Sequence, residues 1–319
     1  DYKNLYPNGT NYNNIMGDFA KKINLKEYTN PYYILIDDNG KTLIATYEIE
    51  KLKKQINRKI VLNQLTQIVK ESGTLFRKGF LETKQITYKG AVDLLTEYDV
   101  AIEKELTAKL KDLFPDFTIV GEESWEGGEI PKNAVIIDPI DGTTNFVHHI
   151  PFCAISVGVW EDGEPKYGVV YNPVLDELFT AKKGGGAYLN GEKIHVSNTN
   201  ELQKSLIATG FPYTKSEGGD DFLWAVQKIK AVLPHTRDVR RLGAASVDLC
   251  YTAKGVFDGY YEINLKPWDT AAGVLVVQEA GGKISNTEGG KYSLSDKGII
   301  ASSSAIHEKF VGLLTSDAI

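Results

Sequence analysis

Cysteine is nearly absent from this chain, since Cys153 and Cys250 are the only two among 319 residues. They form no Cys-x-x-Cys pair, which excludes the usual dithiol redox motif. Each lies in an apolar stretch, where a free cysteine behaves as a small hydrophobic residue. The sequence therefore predicts two buried free thiols.

The chain also lacks long apolar runs and an excess of positive charge. No apolar run reaches the roughly 20 residues of a membrane-spanning helix, and there is no short repeat or low-complexity tract. The net charge of −6 and the pI of about 5.5 exclude broad electrostatic attraction to nucleic acid. With 42% hydrophobic residues the chain can build one large or two modest cores. These properties predict a cytoplasmic enzyme with neither nucleic acid nor a membrane as its partner.

One segment concentrates carboxylates and backbone donors at the end of a predicted strand. It follows the apolar residues 134–137 and reads Asp138-Pro139-Ile140-Asp141-Gly142-Thr143-Thr144-Asn145. Two carboxylates at the end of a buried strand can hold metal ions against a phosphate. The N–H groups of residues 142–145, at a predicted helix or turn start, can bind an anion. This segment is the first candidate for a catalytic site.

Two further acidic segments lie at the edges of predicted elements. Glu122 and Glu123 follow the strand predicted at residues 117–120, and Asp269 opens an apolar helix. Clustered carboxylates repel one another unless a cation neutralises them. Oxygen ligands favour magnesium, whereas zinc prefers nitrogen or sulfur, so the nearby residues 148–149, both histidines, are not needed. A phosphate held by two metals suggests in-line attack by water.

Each piece alone also has a plain structural explanation. An Asp-Gly pair is typical of a turn, and a Glu-Glu pair is typical of a solvated surface. Asp93 precedes a helix suggested by residues 94–110, so it can be that helix's N-cap. Lys89 is a lone lysine and receives no role. The combined pattern at residues 122, 138–143 and 269 is much harder to explain by chance.

From about residue 58 to the end, the chain resembles the inositol monophosphatases, which belong to a magnesium-dependent, lithium-sensitive phosphatase superfamily. The segments that carry the resemblance are residues 92–99 (VDLLTEYD), 120–124 (VGEES), 137–146 (IDPIDGTTNF), 184–191 (GGGAYLNG) and 266–273 (KPWDTAAG). The resemblance implies an α/β fold of five layers, an α-β-α-β-α sandwich, with the metals at the junction of its two halves. It also implies a homodimer, because dimers are common in the family.

The resemblance assigns the site residues as follows. Two or three Mg²⁺ ions would be held by Glu122, Asp138, the Ile140 carbonyl, Asp141 and Asp269. The catalytic residues would be Asp93, Glu122 and Thr143, with Asp93 and Thr143 orienting and helping to deprotonate the attacking water. The substrate-binding residues would be Asp141, Gly142, Thr143, Thr144, Gly243, Ala245, Glu262 and Asp269. Taken without the resemblance, Glu262 can equally be a half-exposed strand residue, and Gly243 and Ala245 can be ordinary packing residues.

The sequence favours a small phosphorylated polyol, inositol monophosphate first, as the substrate. Residues 142–146 have the inositol phosphatase form, whereas nucleotide 3'-phosphatases tend to carry a lysine and an acid after Asp-Gly-Thr. Fructose-1,6-bisphosphatase, NADP phosphatase and broad sugar phosphatase activities stay open as alternatives. A non-catalytic protein that binds the transcription machinery is the competing class, although all the expected acidic positions are present.

The first 55 residues do not belong to the phosphatase pattern. Residues 30–44 read as strand, Asn-Gly turn and strand, and they resemble the C-terminal half of a thioredoxin-like domain without its Cys-x-x-Cys. We therefore divide the chain into a thioredoxin-like segment at residues 1–55 and a phosphatase domain at residues 56–319. Because the sequence starts at Asp1 rather than at methionine, we expect it to be processed, truncated or part of a longer product.

Hydrophobic periodicity predicts the order of elements in the phosphatase domain. Helices are predicted at residues 56–80, 100–113, 222–233, 244–252 and 270–279. Strands dominate residues 117–188, where residues 155–160 and 167–171 form a hairpin around an Asp-Gly turn, and further strands are predicted at residues 205–208 and 259–263. Alternation of helices and sheets predicts a layered fold.

Overall fold

The computed structural model describes residues 46–89 and 93–316, with side chains described from residue 60. Its contacts divide the chain into a unit of residues 1–64 and a unit of residues 65–319. Helix α1, Thr46–Leu81, runs through the boundary between these units. The hairpin expected at residues 30–44 lies outside the described residues, so the thioredoxin-like segment and the boundary at residue 55 stay predictions.

The described residues contain eight α-helices and fourteen strands. After α1, the helices are α2 (Glu97–Leu113), α3 (Thr143–Val147), α4 (Asp220–Val232), α5 (Ala245–Ala253), α6 (Pro267–Thr270), α7 (Gly273–Glu279) and α8 (His307–Thr315). The strands are β1 (Ile86–Tyr88), β2 (Leu94–Thr96), β3 (Thr118–Gly121), β4 (Ala134–Asp141), β5 (Ala154–Glu161), β6 (Glu164–Asn172), β7 (Glu177–Lys182), β8 (Gly186–Leu189), β9 (Glu192–Lys193), β10 (Leu206–Thr209), β11 (Asp238–Arg240), β12 (Gly259–Ile263), β13 (Gly282–Ser285) and β14 (Gly298–Ser303).

Two sheets organise the larger unit. The seven-stranded sheet has the order β3-β4-β5-β6-β7-β8-β9, and all its pairs are antiparallel except β3 with β4. The five-stranded sheet has the order β11-β10-β12-β14-β13, with β10 parallel to both of its neighbours. Strands β1 and β2 form a separate two-stranded pair.

The helices cover both faces of the sheets, as their apolar sides require. Helices α5 and α7 pack on each other between the sheets, where α7 contacts β6 to β8 and α5 contacts β12 and β14. Helix α2 packs on β3 and β4, whereas α4 and α8 cover the outer face of the five-stranded sheet. The apolar residues of the middle layer, such as Leu249, Val276 and Val277, are fully buried. The predicted α-β-α-β-α sandwich is confirmed.

Most predicted elements of this unit are found, and two local details differ. The predicted helix at residues 270–279 is two helices, α6 and α7. Residues 94–96 form strand β2 instead of helix, so Thr96 rather than Asp93 is the N-cap of α2. The Asp162-Gly163 hairpin joins β5 to β6 as expected. Both cysteines are buried free thiols, which confirms that prediction. None of the described helices is long and apolar enough to cross a membrane.

The middle helices approach the seven-stranded sheet through two glycines. A Cβ atom at Gly158 of β5 would lie 2.6 Å from the backbone carbon of Ala271, and one at Gly168 of β6 would lie 2.6 Å from the carbonyl oxygen of Ala272. Backbone atoms cannot move aside as a flexible side chain can. Glycine at these two positions therefore sets how closely the α6–α7 segment, which carries Asp269, lies on the sheet.

We expect Gly158→Ala to lower the free energy of unfolding by about 1–3 kcal/mol, because the added methyl group overpacks a backbone contact. Gly312→Ala is the matched control, since Gly312 lies inside α8 with open space around its Cβ position. Alanine there should raise stability by roughly 0.5–1 kcal/mol. Denaturant unfolding of both variants tests the pair, and an unaffected Gly158→Ala protein would contradict the close approach.

Candidate active site

Parallel pairing of β3 and β4 places Glu122 beside Asp138. Gly121 is in register with Ile137, and the Glu122 N–H donates to the Ile137 carbonyl oxygen at 3.1 Å. Both strands therefore end at the same edge of the sheet. Burial raises the pKa of the Glu122 carboxyl, while the nearby Lys89 ammonium opposes that shift. Glu122, after β3, and Asp138, in β4, thus face one common site.

A β-bulge turns Asp138 and Asp141 to the same side of the sheet. Side chains alternate along a regular strand, so residues three apart would point to opposite faces. The register of β4 against β5 shifts between Asp138 and Asp141. This bulge adds the turn of the backbone that brings both side chains to one side. Pro139 lies in the shift, where the missing N–H of proline is tolerated. The Ile140 N–H donates to Asp138 Oδ1 at 3.0 Å and fixes the buried carboxylate.

Asp141 also caps the middle helix α5. Its Oδ2 atom accepts hydrogen bonds from the Ser246 N–H at 2.7 Å and from the Ser246 hydroxyl at 2.5 Å. These bonds satisfy a donor at the first turn of α5, whose N-cap, Ala244, has no side-chain oxygen. Burial raises the pKa of Asp141 to about 6, although the bonds from Ser246 oppose the shift. One carboxylate therefore joins the metal-site edge of the sheet to the middle layer.

Asp269 brings the third acidic segment to the same place. It lies in the short helix α6, where its Oδ2 atom accepts a 2.6 Å hydrogen bond from the Lys266 N–H. One carboxylate oxygen from each of Asp138, Asp141 and Asp269 lies within 4.8 Å of the others. Burial raises the pKa values of Asp138 and Asp269 well above their ordinary range, and the charges of neighbouring carboxyls add to the shift.

The donor set fits a hard divalent cation. The three clustered groups offer only carboxylate oxygens, and Asp138 is almost wholly buried with a raised pKa. Such a cluster is stabilised by a cation that neutralises the repelling charges. Nitrogen and sulfur ligands, which zinc prefers, do not contribute to this group.

A cavity of about 140 Å³ opens over the acidic cluster. Its lining residues are Lys89, Asp93, Glu122, Asp138, Ile140, Asp141, Gly142, Thr143, Tyr213, Lys266, Trp268 and Asp269. Every residue assigned to metal binding or catalysis from the sequence is among them. Four residues assigned to substrate binding do not line this cavity, namely Thr144, Gly243, Ala245 and Glu262.

Those four residues lie around the cavity rather than in its wall. Thr144 is exposed on α3, and Ala245 begins α5 directly before the Ser246 that binds Asp141. The Gly243 carbonyl oxygen lies 3.2 Å from the position that a Cβ atom of Gly142 would take. Glu262 is held in β12 by a 2.6 Å hydrogen bond from the Tyr260 hydroxyl, and burial raises its pKa to about 7.

Thr143 lies beside Asp99, a residue that the sequence pattern does not single out. The Thr143 hydroxyl lies 3.4 Å from Asp99 Oδ1 and 3.0 Å from the Ile140 carbonyl oxygen. Asp99 is buried, and its Oδ2 atom accepts bonds from the N–H and the hydroxyl of Thr96. Burial raises its pKa to about 6. Asp93 also lines the cavity, but the described residues show no hydrogen bond between it and Thr143, so the geometry favours Asp99 as the partner of this hydroxyl.

Lys89 is a second residue of the site that the sequence pattern does not single out. Its ammonium group lies 2.9 Å from Glu122 Oε1 and 2.7 Å from Glu123 Oε1. Burial alone would lower the pKa of Lys89, but the two carboxylates outweigh burial and raise it. The lysine therefore places a positive charge at the edge of the acidic cluster, and a lysine four residues before an aspartate carries no sequence signal for such a contact.

We expect Asp138→Asn to stabilise the protein in the presence of a chelator, increasingly so as the pH rises. A carboxyl whose pKa is raised by folding binds its proton more tightly in the folded state, so its contribution to stability is lost as the pH rises above its ordinary pKa of 3.8. Asparagine has no titrating carboxyl, so the variant does not lose this stability as the pH rises. Thermal unfolding from pH 4.5 to 7.5 measures it, with Asp112→Asn on the exposed end of α2 as control. A difference from wild type that stays constant with pH would contradict the assignment of a repelling cluster.

Three comparisons place this architecture among known proteins. Residues 57–317 match the sequence model of the inositol monophosphatase family. "Phosphatase IMPL1, chloroplastic" of Arabidopsis thaliana is 42% identical over 235 residues, which cover 72% of this chain but only 62% of that relative, less than two thirds of its length. "Inositol monophosphatase 2" of Solanum lycopersicum is 38% identical over 78% of this chain and 95% of its own length. The crystal structure of the extragenic suppressor protein suhB from Bartonella henselae is 38% identical, with a TM-score of 0.75 over 82% of this chain and 100% of that chain. The chain belongs to the inositol monophosphatase family, whose members are metal-dependent phosphatases.

Proposed function

We propose that the chain is a magnesium-dependent phosphomonoesterase that hydrolyses inositol monophosphate or a similar small polyol phosphate. The observation that carries this proposal is the cluster of Asp138, Asp141 and Asp269 beneath a cavity that also holds Thr143. Relatives named inositol monophosphatase support the substrate class. A homodimer and a cytoplasmic location belong to the same proposal, and sedimentation of the purified chain tests the first.

In this proposal the acidic residues hold two or three Mg²⁺ ions. The ligands are Glu122, Asp138, the Ile140 carbonyl, Asp141 and Asp269, which all line the cavity. When bound, magnesium would make water more acidic and withdraw charge from the phosphoryl oxygens. The chain's own contribution is to fix the ligands, because β4 and β5, helix α5 and helix α6 each hold one carboxylate in place.

Thr143 and Asp99 are positioned to accept a proton from the attacking water. The threonine hydroxyl faces the cavity and its partner, Asp99, is buried behind it. A hydroxyl can pass a proton to a carboxylate with which it shares a hydrogen bond. Thr96 holds the other carboxylate oxygen, which keeps Asp99 turned towards Thr143. We therefore assign the relay to Thr143 and Asp99. Asp93, for which the family resemblance implies that role, serves as the comparison variant.

The polyol would lie on the side of the cavity where helix α5 begins. Gly142, Gly243 and Ala245 present backbone close to that side, and small residues let a ring approach it. The Glu262 carboxylate can accept hydrogen bonds from hydroxyl groups, as Asp141 and Asp269 can when they face the substrate. Thr144, exposed at the start of α3, is the last of the proposed substrate-binding residues.

The first experiment measures phosphate release from inositol 1-phosphate, with Mg²⁺ and with a chelator. Magnesium-dependent release would support the proposal. Release led by fructose 1,6-bisphosphate or NADP in the same assay would keep the reaction and change the substrate. No release from any of the three, with the fold intact by circular dichroism, would move the assignment to a binding role.

We expect Asp99→Asn to lower kcat by about 10²-fold or more, since an amide cannot accept the proton that Thr143 relays. Asp93→Asn is the matched variant, because this aspartate lines the same cavity without the bond to Thr143. It should retain at least tenfold more activity than Asp99→Asn. Both variants should bind Mg²⁺ as wild type does in calorimetry. Equal losses of kcat would refute the assignment of the relay to Asp99.

A further inference from the structure

The segment between β10 and α4 carries a lysine beside the acidic cavity. Tyr213 of this segment lines the cavity, and the Lys215 ammonium lies 5.7 Å from the centre of the Tyr213 ring. Such a cation–π contact holds a lysine in one direction without neutralising its charge. Lys215 is half-buried. Its position is therefore set by the same segment that closes one side of the site.

An arginine from a different element lies near this lysine. Arg241 directly follows β11, and its Cζ atom lies 5.6 Å from the centre of the Phe211 ring, two residues before Tyr213. Its guanidinium also lies against Gly243, where a Cβ atom would collide with it. Gly243 has a φ of +91°, which further favours glycine. The backbone thus leaves room for the guanidinium beside the start of α5.

Lys215 and Arg241 form what we call the cation pair. Among the described residues, neither makes an ion pair or a side-chain hydrogen bond, whereas the adjacent Arg240 pairs with Asp238. The rings that the two cations contact, Phe211 and Tyr213, are two residues apart in one segment, which brings the cations near each other. Burial lowers the pKa of Lys215, and the positive charge of Arg241 lowers it further. The carboxylates of Asp93 and Glu262 oppose this repulsion, although within the described residues neither forms an ion pair with Lys215 or Arg241. Two adjacent cations without a bound carboxylate are a favourable site for an anion.

We propose that the cation pair binds a second anionic group, so that the site, besides inositol monophosphate, also takes sugar or polyol phosphates that carry a second phosphate or a carboxylate. The inference rests on the proposed phosphatase function and deepens it. The acidic end of the site holds the phosphate that is cleaved, together with its cations. The cation pair, at the other end, holds the group that is not cleaved.

The two ends differ in charge, which fixes the direction in which a substrate binds. A dianionic phosphate is attracted to the cation pair directly but is repelled by the carboxylate cluster unless metal is bound there. Guanidinium groups bind phosphate and carboxylate through two parallel hydrogen bonds, and a lysine adds a point charge. The aromatic partners, Phe211 and Tyr213, hold both side chains in place before the ligand arrives.

The test compares kcat/KM for fructose 1,6-bisphosphate, which carries two phosphates, with kcat/KM for inositol 1-phosphate, which carries one. The variants are Lys215→Gln, Arg241→Gln and the double variant. Their control is Lys230→Gln together with Arg240→Gln, which removes one lysine on α4 and the arginine next to Arg241. In the double variant we expect the ratio of the two kcat/KM values to fall at least tenfold, mainly through a higher KM for the bisphosphate. The control should leave the ratio unchanged.

The other outcomes contradict either the second anion site or the proposed phosphatase function. Equal losses for both substrates, or no loss for either, would refute the second anion site while leaving the phosphatase function intact. A change in oligomeric state on sedimentation, with equal losses, would assign the pair to a subunit interface instead. If the wild type releases phosphate from neither substrate, the proposed function fails. Calorimetric titration with fructose 1,6-bisphosphate then decides on the cation pair alone, because binding that the double variant retains would refute it.

Discussion

Three carboxylates within 4.8 Å of one another cannot all be charged in a buried place unless a cation lies among them. This repulsion is the constraint on which the rest of the site depends. Burial raises the pKa values of Asp138 and Asp269, and this repulsion raises them further. Each of the two carboxylates also accepts a hydrogen bond from a backbone N–H group. A protein that only needed stability would place apolar residues there, because a cluster of unpaired charges opposes folding. The loss of stability from these unpaired charges is expected at a place where ligands for a hard cation are needed.

Each carboxylate of the cluster also accepts a hydrogen bond that holds the local backbone. Asp141 caps helix α5, which lies between the two sheets, so the acidic edge of one sheet is tied to the layer that supports the other. Asp269 accepts the Lys266 N–H in the short helix α6, and Gly158 lets the nearby Ala271 lie directly on β5. Because the same groups act as caps and as proposed ligands, the position of the site is fixed by the packing of the core.

Much of the site was readable from the sequence because its signals are local. An apolar strand followed by Asp-Pro-Ile-Asp-Gly-Thr, an acidic pair after a second strand and an aspartate at a helix start each predict a placement. The structure brings Glu122, Asp138, Asp141 and Asp269 to one cavity. The pairing of Thr143 with Asp99 was missed because it joins residues 44 positions apart. Residues 93 and 99 both lie in the segment VDLLTEYD, and choosing between them needed strand β2, whose three residues are too few for periodicity to show. The contacts of Lys89 depend on a separate chain segment and were equally invisible.

The net charge of −6 says little about how the chain would bind an anionic substrate. The distribution of charge around the cavity is what matters for that binding. In the proposed substrate site, carboxylates occupy one end and Lys215 with Arg241 occupies the other, although the two cations come from different elements and are 26 positions apart. An anionic substrate therefore meets attraction at one end in every state and at the other end only when cations are bound. Such a site discriminates by the spacing of two anionic groups, since a ligand with one phosphate can satisfy only one end at a time. Selectivity would then reside in the loop before α4 and the turn before α5, whereas the chemistry resides in β4 and the elements that hold it.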